Sequence, residues 1–331
     1  MFVSDFDYDL PQELIAKEPL IPRDTSRLMI VDRNSDQILH KKFSDLPEIL
    51  PKNCVLVFND SKVLKAKLKG NIAEILLTKE IEKNTWECLG KPGKKLKIGT
   101  KIKFGPDLEG KVMEINEDGS RIIKFTEDLE EKLEEIGQTP LPPYLKGSKA
   151  KDEQYQTIYA REKGSVAAPT AGLHFTEDIF QKLSEKGIKT AFVTLHVGRG
   201  TFEPVKSDQI EDHTMHSEWF TISPETAAML NEAKKQGKKI VSVGTTTTRV
   251  LESCTTNGMI KPQSAETDIF IYPGYKWQFI DHLLTNFHLP KSTLLMLISA
   301  LAGKELIDRA YKEAIEEKYR FFSFGDSMLI I

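Results

Sequence analysis

The chain has 331 residues, 40% hydrophobic and 29% charged, with a formal net charge of −3, which excludes a disordered or low-complexity polypeptide and supplies apolar material for one large core or two smaller ones. Its start, Met1-Phe2-Val3-Ser4-Asp5-Phe6-Asp7, lacks the basic flank and apolar run of a signal peptide, and its longest apolar stretch, Leu294 to Ala302, falls far short of the roughly 20 residues that cross a bilayer. Cys54, Cys88 and Cys254 lie too far apart for a Cys-x-x-Cys site or a disulfide framework, so buried thiols, no membrane partner and a cytoplasmic location are expected.

In chain order, Arg27 to Asp32 (RLMIVD) and Cys54 to Phe58 (CVLVF) read as short buried strands, the second stopping at Asn59-Asp60-Ser61. From about Leu64 the texture changes to short alternating segments, Ile72 to Leu77, Trp86 to Leu89, Lys101 to Phe104 and Arg121 to Phe125, separated by turn residues. Such spacing predicts a small antiparallel β-barrel. Glu127 to Ile136 places Leu129, Leu133 and Ile136 on one face, an amphipathic helix stopped by Gly137, and Pro140 to Tyr144 is a stiff extended linker. Charge divides along this region. Ser61 to Lys103 carries twelve lysines against four glutamates (+8), and Phe104 to Glu135 four basic against eleven acidic residues (−7). The basic block reads either as a phosphate-attracting face or as a solvated sheet surface.

After Tyr155 helix and strand alternate. Thr176 caps a helix to about Glu185, Ile188 to Leu195 is a strand, and Trp219 to Ile222 is another, followed by a helix from Pro224 to Gln236. Ile240 to Val243 reads as strand, Thr246 to Ser253 as helix, Asp268 to Ile271 as strand, Thr293 to Leu301 as a core helix and Lys304 to Tyr319 as an amphipathic one. This pattern predicts an α/β fold with parallel strands. The barrel, residues 64–153, is expected as an insertion in a discontinuous α/β domain made of residues 1–63 and 154–331.

Polar groups gather where strands end, the usual ligand position in open α/β sheets. Asp60 follows the Cys54 strand, His196 the Ile188 strand, and Thr245 to Thr248 the Ile240 strand; if these strands are neighbours, the three loops share one cleft. Gly244-Thr245-Thr246-Thr247-Thr248-Arg249 is a glycine turn into a helix start that suits a phosphate or carboxylate, or else a threonine-rich cap. Leu195 to Thr201 holds a lone Gly-x-Gly at Gly198 and Gly200, without the third glycine of a dinucleotide fingerprint, and no P-loop is present. His213-x-x-His216-Ser217-Glu218 suits a metal or proton transfer but is not His-Glu-x-x-His, and no metal is expected. Ala168 to Phe175 is a small-residue loop that lets a ligand, or a packed neighbour, approach Thr170 and Gly172.

Taken together, APTAGLHF at Ala168–Phe175, His196 to Phe202, His213 to Trp219, GTTTTRVLE at Gly244–Glu252, TNFHLPKSTLL at Thr285–Leu295 and YRFFSFGD at Tyr319–Asp326 resemble one family, the S-adenosylmethionine:tRNA ribosyltransferase-isomerases. Phe6 to Pro11, Arg23-Asp24, Arg27 and Tyr155-Gln156-Thr157 are similar to the family's opening and its return from the barrel, so the likeness runs over essentially the whole chain. The resemblance implies transfer of the ribosyl moiety of S-adenosylmethionine, as co-substrate, to 7-aminomethyl-7-deazaguanine at the tRNA wobble position. The products are epoxyqueuosine-tRNA, adenine and methionine, with no permanently bound cofactor.

That chemistry needs a base beside the sulfonium, a proton donor to the departing adenine and an anchor for the methionine carboxylate. Asp60 or a histidine among His174, His196 and His216 is expected to move protons. Thr170, Gly172, Gly198, Gly200, Thr245, Thr246, Thr247, Arg249, Asn286 and His288 are expected against substrate, and Lys62, Lys67, Lys94 and Lys95 against tRNA. Four positions depart from the family pattern: Ser61-Lys62 and Lys67 stand where Thr-Arg and Arg are expected, and Arg199 where an uncharged residue is usual. A lysine lacks the bidentate fork of arginine, which weakens the anion contact there. The rival readings are an RNA methyltransferase using the same co-substrate and a noncatalytic tRNA-binding protein. A monomer is expected.

Overall fold

A computed structural model describes residues 1–198, 205 and 207–331. The chain divides into two compact units, one made of Met1–Ser61, Pro143–Glu162 and Ala168–Ile331, the other of Lys62–Pro142 with Lys163–Ala167.

The first unit is built on a nine-stranded sheet in the spatial order Gln263–Thr267, Glu218–Ile222, Lys189–Leu195, Cys54–Asn59, Lys239–Val243, His282–Asn286, Ser327–Ile330, Arg27–Asp32, Gln37–Lys42. Four adjacent strands at its centre, beginning at Lys189, Cys54, Lys239 and His282, run parallel. The Cys54 strand is buried along its whole length, as a strand covered on both faces requires. Antiparallel pairs flank this block, so the sheet is mixed rather than parallel throughout as the alternation predicts.

Helix starts follow local chemistry. Thr176 accepts from the Ile179 N–H at 3.4 Å and opens the Glu177–Glu185 helix, which buries Ile179 and Leu183 on the sheet.

Two expected elements are corrected. Asp268 to Ile271 is not a strand; the strand is the preceding Gln263–Thr267, whose mostly exposed side chains suit an edge paired on one side only with Glu218–Ile222. The last helix ends at Glu316 rather than Tyr319, because Lys318 turns left-handed (φ 56°) and drops Tyr319 into the core.

The second unit is a seven-stranded antiparallel sheet with Gly137–Gln138 and Lys101–Lys103 at its two edges. Leu68, Ile75, Leu77, Ile102, Val112 and Ile123 fill its concave core, and the Leu129–Ile136 helix closes it with Leu129 and Leu133. Ion pairs such as Lys101–Glu109 (2.8 Å), Lys83–Asp128 and Lys65–Glu134 (3.4 Å each) join the basic block to the acidic one. Part of the charge asymmetry seen along the sequence is thereby cancelled in space.

Candidate active site

The four parallel strands bring their carboxyl ends side by side, and each delivers a residue anticipated from sequence: His196 after Leu195, Asp60 after Asn59, Thr245 after Gly244, and Asn286 at the end of its strand. Asn59 ties the ends together. Its side chain donates to the Leu195 carbonyl at 3.0 Å and contacts the Thr246 hydroxyl at 3.3 Å, while its carbonyl oxygen accepts from the Leu195 and Ser61 N–H groups.

Asp60 is buried, yet its carboxylate is fully engaged. Thr194 donates its hydroxyl to one oxygen at 2.7 Å, and Arg161 places Nη2 2.6 Å and Nε 3.2 Å from the other. Arg161 escaped sequence reasoning because it comes from a loop a hundred residues away. His196 lies half-buried with its ring stacked on Trp219 at 4.9 Å, and burial lowers its pKa while the nearby Asp60 charge partly opposes that shift. Its Nδ1 is shielded from solvent without a hydrogen-bond partner. A neutral imidazole beside a fixed carboxylate is equipped to accept a proton.

The Thr245–Cys254 helix starts at Gly244 (φ 89°) with no side-chain cap. Helix geometry leaves the first-turn N–H groups without partners inside the helix, so its positive end lies beside the carboxyl ends of the parallel strands. Thr247 and Thr248 turn their hydroxyls back onto the Val243 and Gly244 carbonyls, leaving Thr246 as the hydroxyl directed to the strand ends. Arg249 does not face an open anion site. It is buried and ion-paired with Glu218, whose other oxygen accepts the Gly198 N–H at 2.8 Å. Glu218 was grouped with His216 as a metal or proton candidate; its work here is to join Arg249 to the loop after Leu195.

His174 is fully buried. Asn286 Nδ2 lies 3.3 Å from each of the Phe322 and Asp326 carbonyls, which fixes the amide orientation, and 3.0 Å from His174 Nε2, so its two hydrogens are shared among three acceptors; His174 Nδ1–H then donates to Ser26 Oγ at 2.8 Å. Burial and the charges of Arg23 and Arg320 drive the His174 pKa well below its usual value. His174 is therefore a neutral support for Asn286, whose Oδ1 accepts from Thr170 at 3.0 Å, and not a group open to substrate. His288 is likewise a support, bonded to Thr285 at 2.9 Å and pushed down to about 3 by burial. His216 is exposed and lies near His213, two residues before the Glu218–Ile222 strand. Among the described residues no three His, Cys, Asp or Glu side chains are grouped to hold a metal. Gly200, with Arg199, lies outside the described residues.

Gly172 serves a neighbour rather than a ligand. A Cβ there would fall inside the buried Tyr159 hydroxyl. Gly172→Ala is expected to cost about 1–3 kcal/mol through overpacking. Adding Tyr159→Phe should return most of that loss, measured by denaturant unfolding; a single variant as stable as wild type would contradict the packing role.

In the second unit Lys67 pairs with Glu74 at 3.0 Å, Lys62 is half-buried, and Lys94 and Lys95 are exposed on a short turn.

Comparison with known proteins places the whole chain. A family model described as queuosine biosynthesis protein matches residues 3–330. Proteins named S-adenosylmethionine:tRNA ribosyltransferase-isomerase from Clostridium kluyveri and Acetivibrio thermocellus are 53% and 52% identical to it, with full coverage of both chains in each case. The crystal structure of an S-adenosylmethionine tRNA ribosyltransferase from Thermotoga maritima aligns with a TM-score of 0.58 at 39% identity, covering 99% of this chain and 100% of that one. No helix among the described residues is long and apolar enough to cross a membrane.

Proposed function

The chain belongs to the queuosine biosynthesis protein family, and from that premise we propose that it is a transferase-isomerase moving the ribosyl part of S-adenosylmethionine onto 7-aminomethyl-7-deazaguanine in tRNA. The products are epoxyqueuosine-tRNA, adenine and methionine. The observation that carries the assignment of the chemistry to this site is the meeting of Asp60, His196 and the uncapped start of the Thr245–Cys254 helix at three adjacent strand ends.

A proton next to a sulfonium is acidified by the positive sulfur, so a weak base held close suffices to remove it. His196 takes that role, neutral and carrying an unpartnered ring nitrogen. Asp60, held by Thr194 and Arg161, stabilises the imidazolium that results. The positive helix end at Thr245, Thr246 and Thr247 stabilises negative charge that develops as adenine departs. Thr170 and Asn286, braced by His174, line the substrate beyond that helix, and Gly198 borders it from the loop fixed by Glu218.

We take the first unit as a discontinuous α/β domain and the second as its inserted barrel. Lys94 and Lys95, exposed, are the better tRNA contacts, with Lys62 and the Glu74-paired Lys67 contributing less. The protein acts as a cytoplasmic monomer.

Incubation with S-adenosylmethionine and tRNA carrying the aminomethyl-deazaguanine is expected to release adenine and methionine, separated by chromatography, only when that tRNA is present. S-adenosylhomocysteine as the product would replace this reading with methyl transfer, and tRNA binding without any turnover would replace it with a binding role.

A further inference from the structure

Tyr319–Asp326 is a turn that local packing holds in an unfavourable shape. Phe322, a bulky residue, sits at φ 70°, and a Cβ on Gly325 would overlap the Arg320 carbonyl. Asp326 is buried, and its two carboxylate oxygens accept the backbone N–H groups of Arg27 and Arg320 at 2.8 Å each. It thus closes the turn through backbone N–H groups, and its charge acts on the Arg23 and Arg320 guanidiniums only from a distance.

Those guanidiniums are unusual. Among the described residues the Arg23 side chain donates to the Leu173 and Phe324 carbonyls (3.3 and 3.2 Å), and the Arg320 side chain to the Glu18 carbonyl. One terminal nitrogen of each, Arg23 Nη2 and Arg320 Nη1, is shielded from solvent with no partner. Among the described residues no carboxylate makes an ion pair with either side chain. Burial and the nearby Arg320 charge depress the Arg23 pKa to about 10, with Asp326 partly opposing the shift. Two half-buried cations that each keep an unpartnered donor, with no carboxylate ion-paired to them among the described residues, are costly in a folded protein unless an anion joins them.

We propose that Arg23 and Arg320 form an oxyanion site that receives the carboxylate of the methionine part of S-adenosylmethionine. The proposal rests on the ribosyl-transfer reading and relocates its carboxylate anchor, because the charge of Arg249 is already committed to Glu218. Position supports it. Arg23 is bonded to Leu173, in the Thr170–His174 turn that holds Asn286 at the fourth strand end, while the reacting groups stand at the first two. A half-buried, forked pair of donors matches a carboxylate better than a solvated tRNA phosphate.

Calorimetric titration of the whole protein with S-adenosylmethionine and with its decarboxylated analogue tests the site apart from catalysis. Wild type is expected to bind the decarboxylated compound at least tenfold more weakly, and Arg320→Met to bind the two about equally with unchanged tRNA affinity. Arg320→Lys, which keeps the charge without the fork, is expected to fall between them and serves if Arg320→Met does not fold by circular dichroism. A folded Arg320 variant that keeps the full preference for the carboxylated compound would overturn the proposal. So would an unchanged preference accompanied by weaker, less salt-sensitive tRNA binding, which gives the arginines to phosphate. Wild-type protein that binds neither compound would instead sink the ribosyl-transfer reading itself.

Discussion

Asp60→Asn is expected to slow adenine release by about 10²–10⁴-fold, the usual scale for losing one partner in proton transfer, while the protein stays folded. The structure separates the two effects. The backbone of Asp60 is anchored independently of its side chain: its N–H donates to Val193 at 3.0 Å and its carbonyl accepts from Arg161 at 2.8 Å and Glu162 at 3.2 Å. The asparagine is isosteric, and the Arg161 guanidinium it deprives is 62% exposed, so water replaces much of the lost ion pair and the stability cost is small. What disappears is the negative charge beside His196, and with it the stabilisation of an imidazolium in a half-buried site. Single-turnover adenine release measured against unfolding free energy checks this. A variant that unfolds with its activity would show Asp60 to be a structural tie, and one with wild-type turnover would remove it from the chemistry.

The strands and helices that were legible in the sequence are those governed by short-range physics. Arg27–Asp32 and Cys54–Asn59 are apolar runs long enough to bury on both faces, and the Glu177–Glu185 helix announces itself through Thr176 at its cap and Gly187 after its end. Gln263–Thr267 was not legible, because an edge strand needs only one partner and its side chains read as loop. The adjacency of the Lys189, Cys54 and Lys239 strands was the condition on which one shared cleft depended, and no local pattern states it. The same limit applies to the site. His196, Asp60 and the threonine turn were visible as polar residues at strand ends. Their partners Arg161, Asn59 and Glu218, and the sealed settings of His174 and His288, are matters of which distant segments meet.

Arg249→Met is expected to destabilise the protein by about 3–5 kcal/mol, the range for stranding one member of a buried ion pair. Both side chains are nearly sealed, at 7% exposure for Arg249 and 4% for Glu218, so neither charge can turn to water when the other is removed. Glu218 would keep the Gly198 N–H on Oε1 but hold an uncompensated charge on Oε2. The double variant Glu218→Gln/Arg249→Met removes that charge while leaving an amide oxygen for Gly198, and should recover most of the loss. Thermal and denaturant unfolding of the single and double variants measures the coupling. Arg249→Met with wild-type stability would mean that the guanidinium is free for a ligand after all, as the threonine-rich turn on its own implies. Recovery of stability in the double variant, with S-adenosylmethionine affinity within a few-fold of wild type, would make Arg249 the brace that sets the helix start and the Gly198 loop around the cleft, leaving the binding of the anion to other residues.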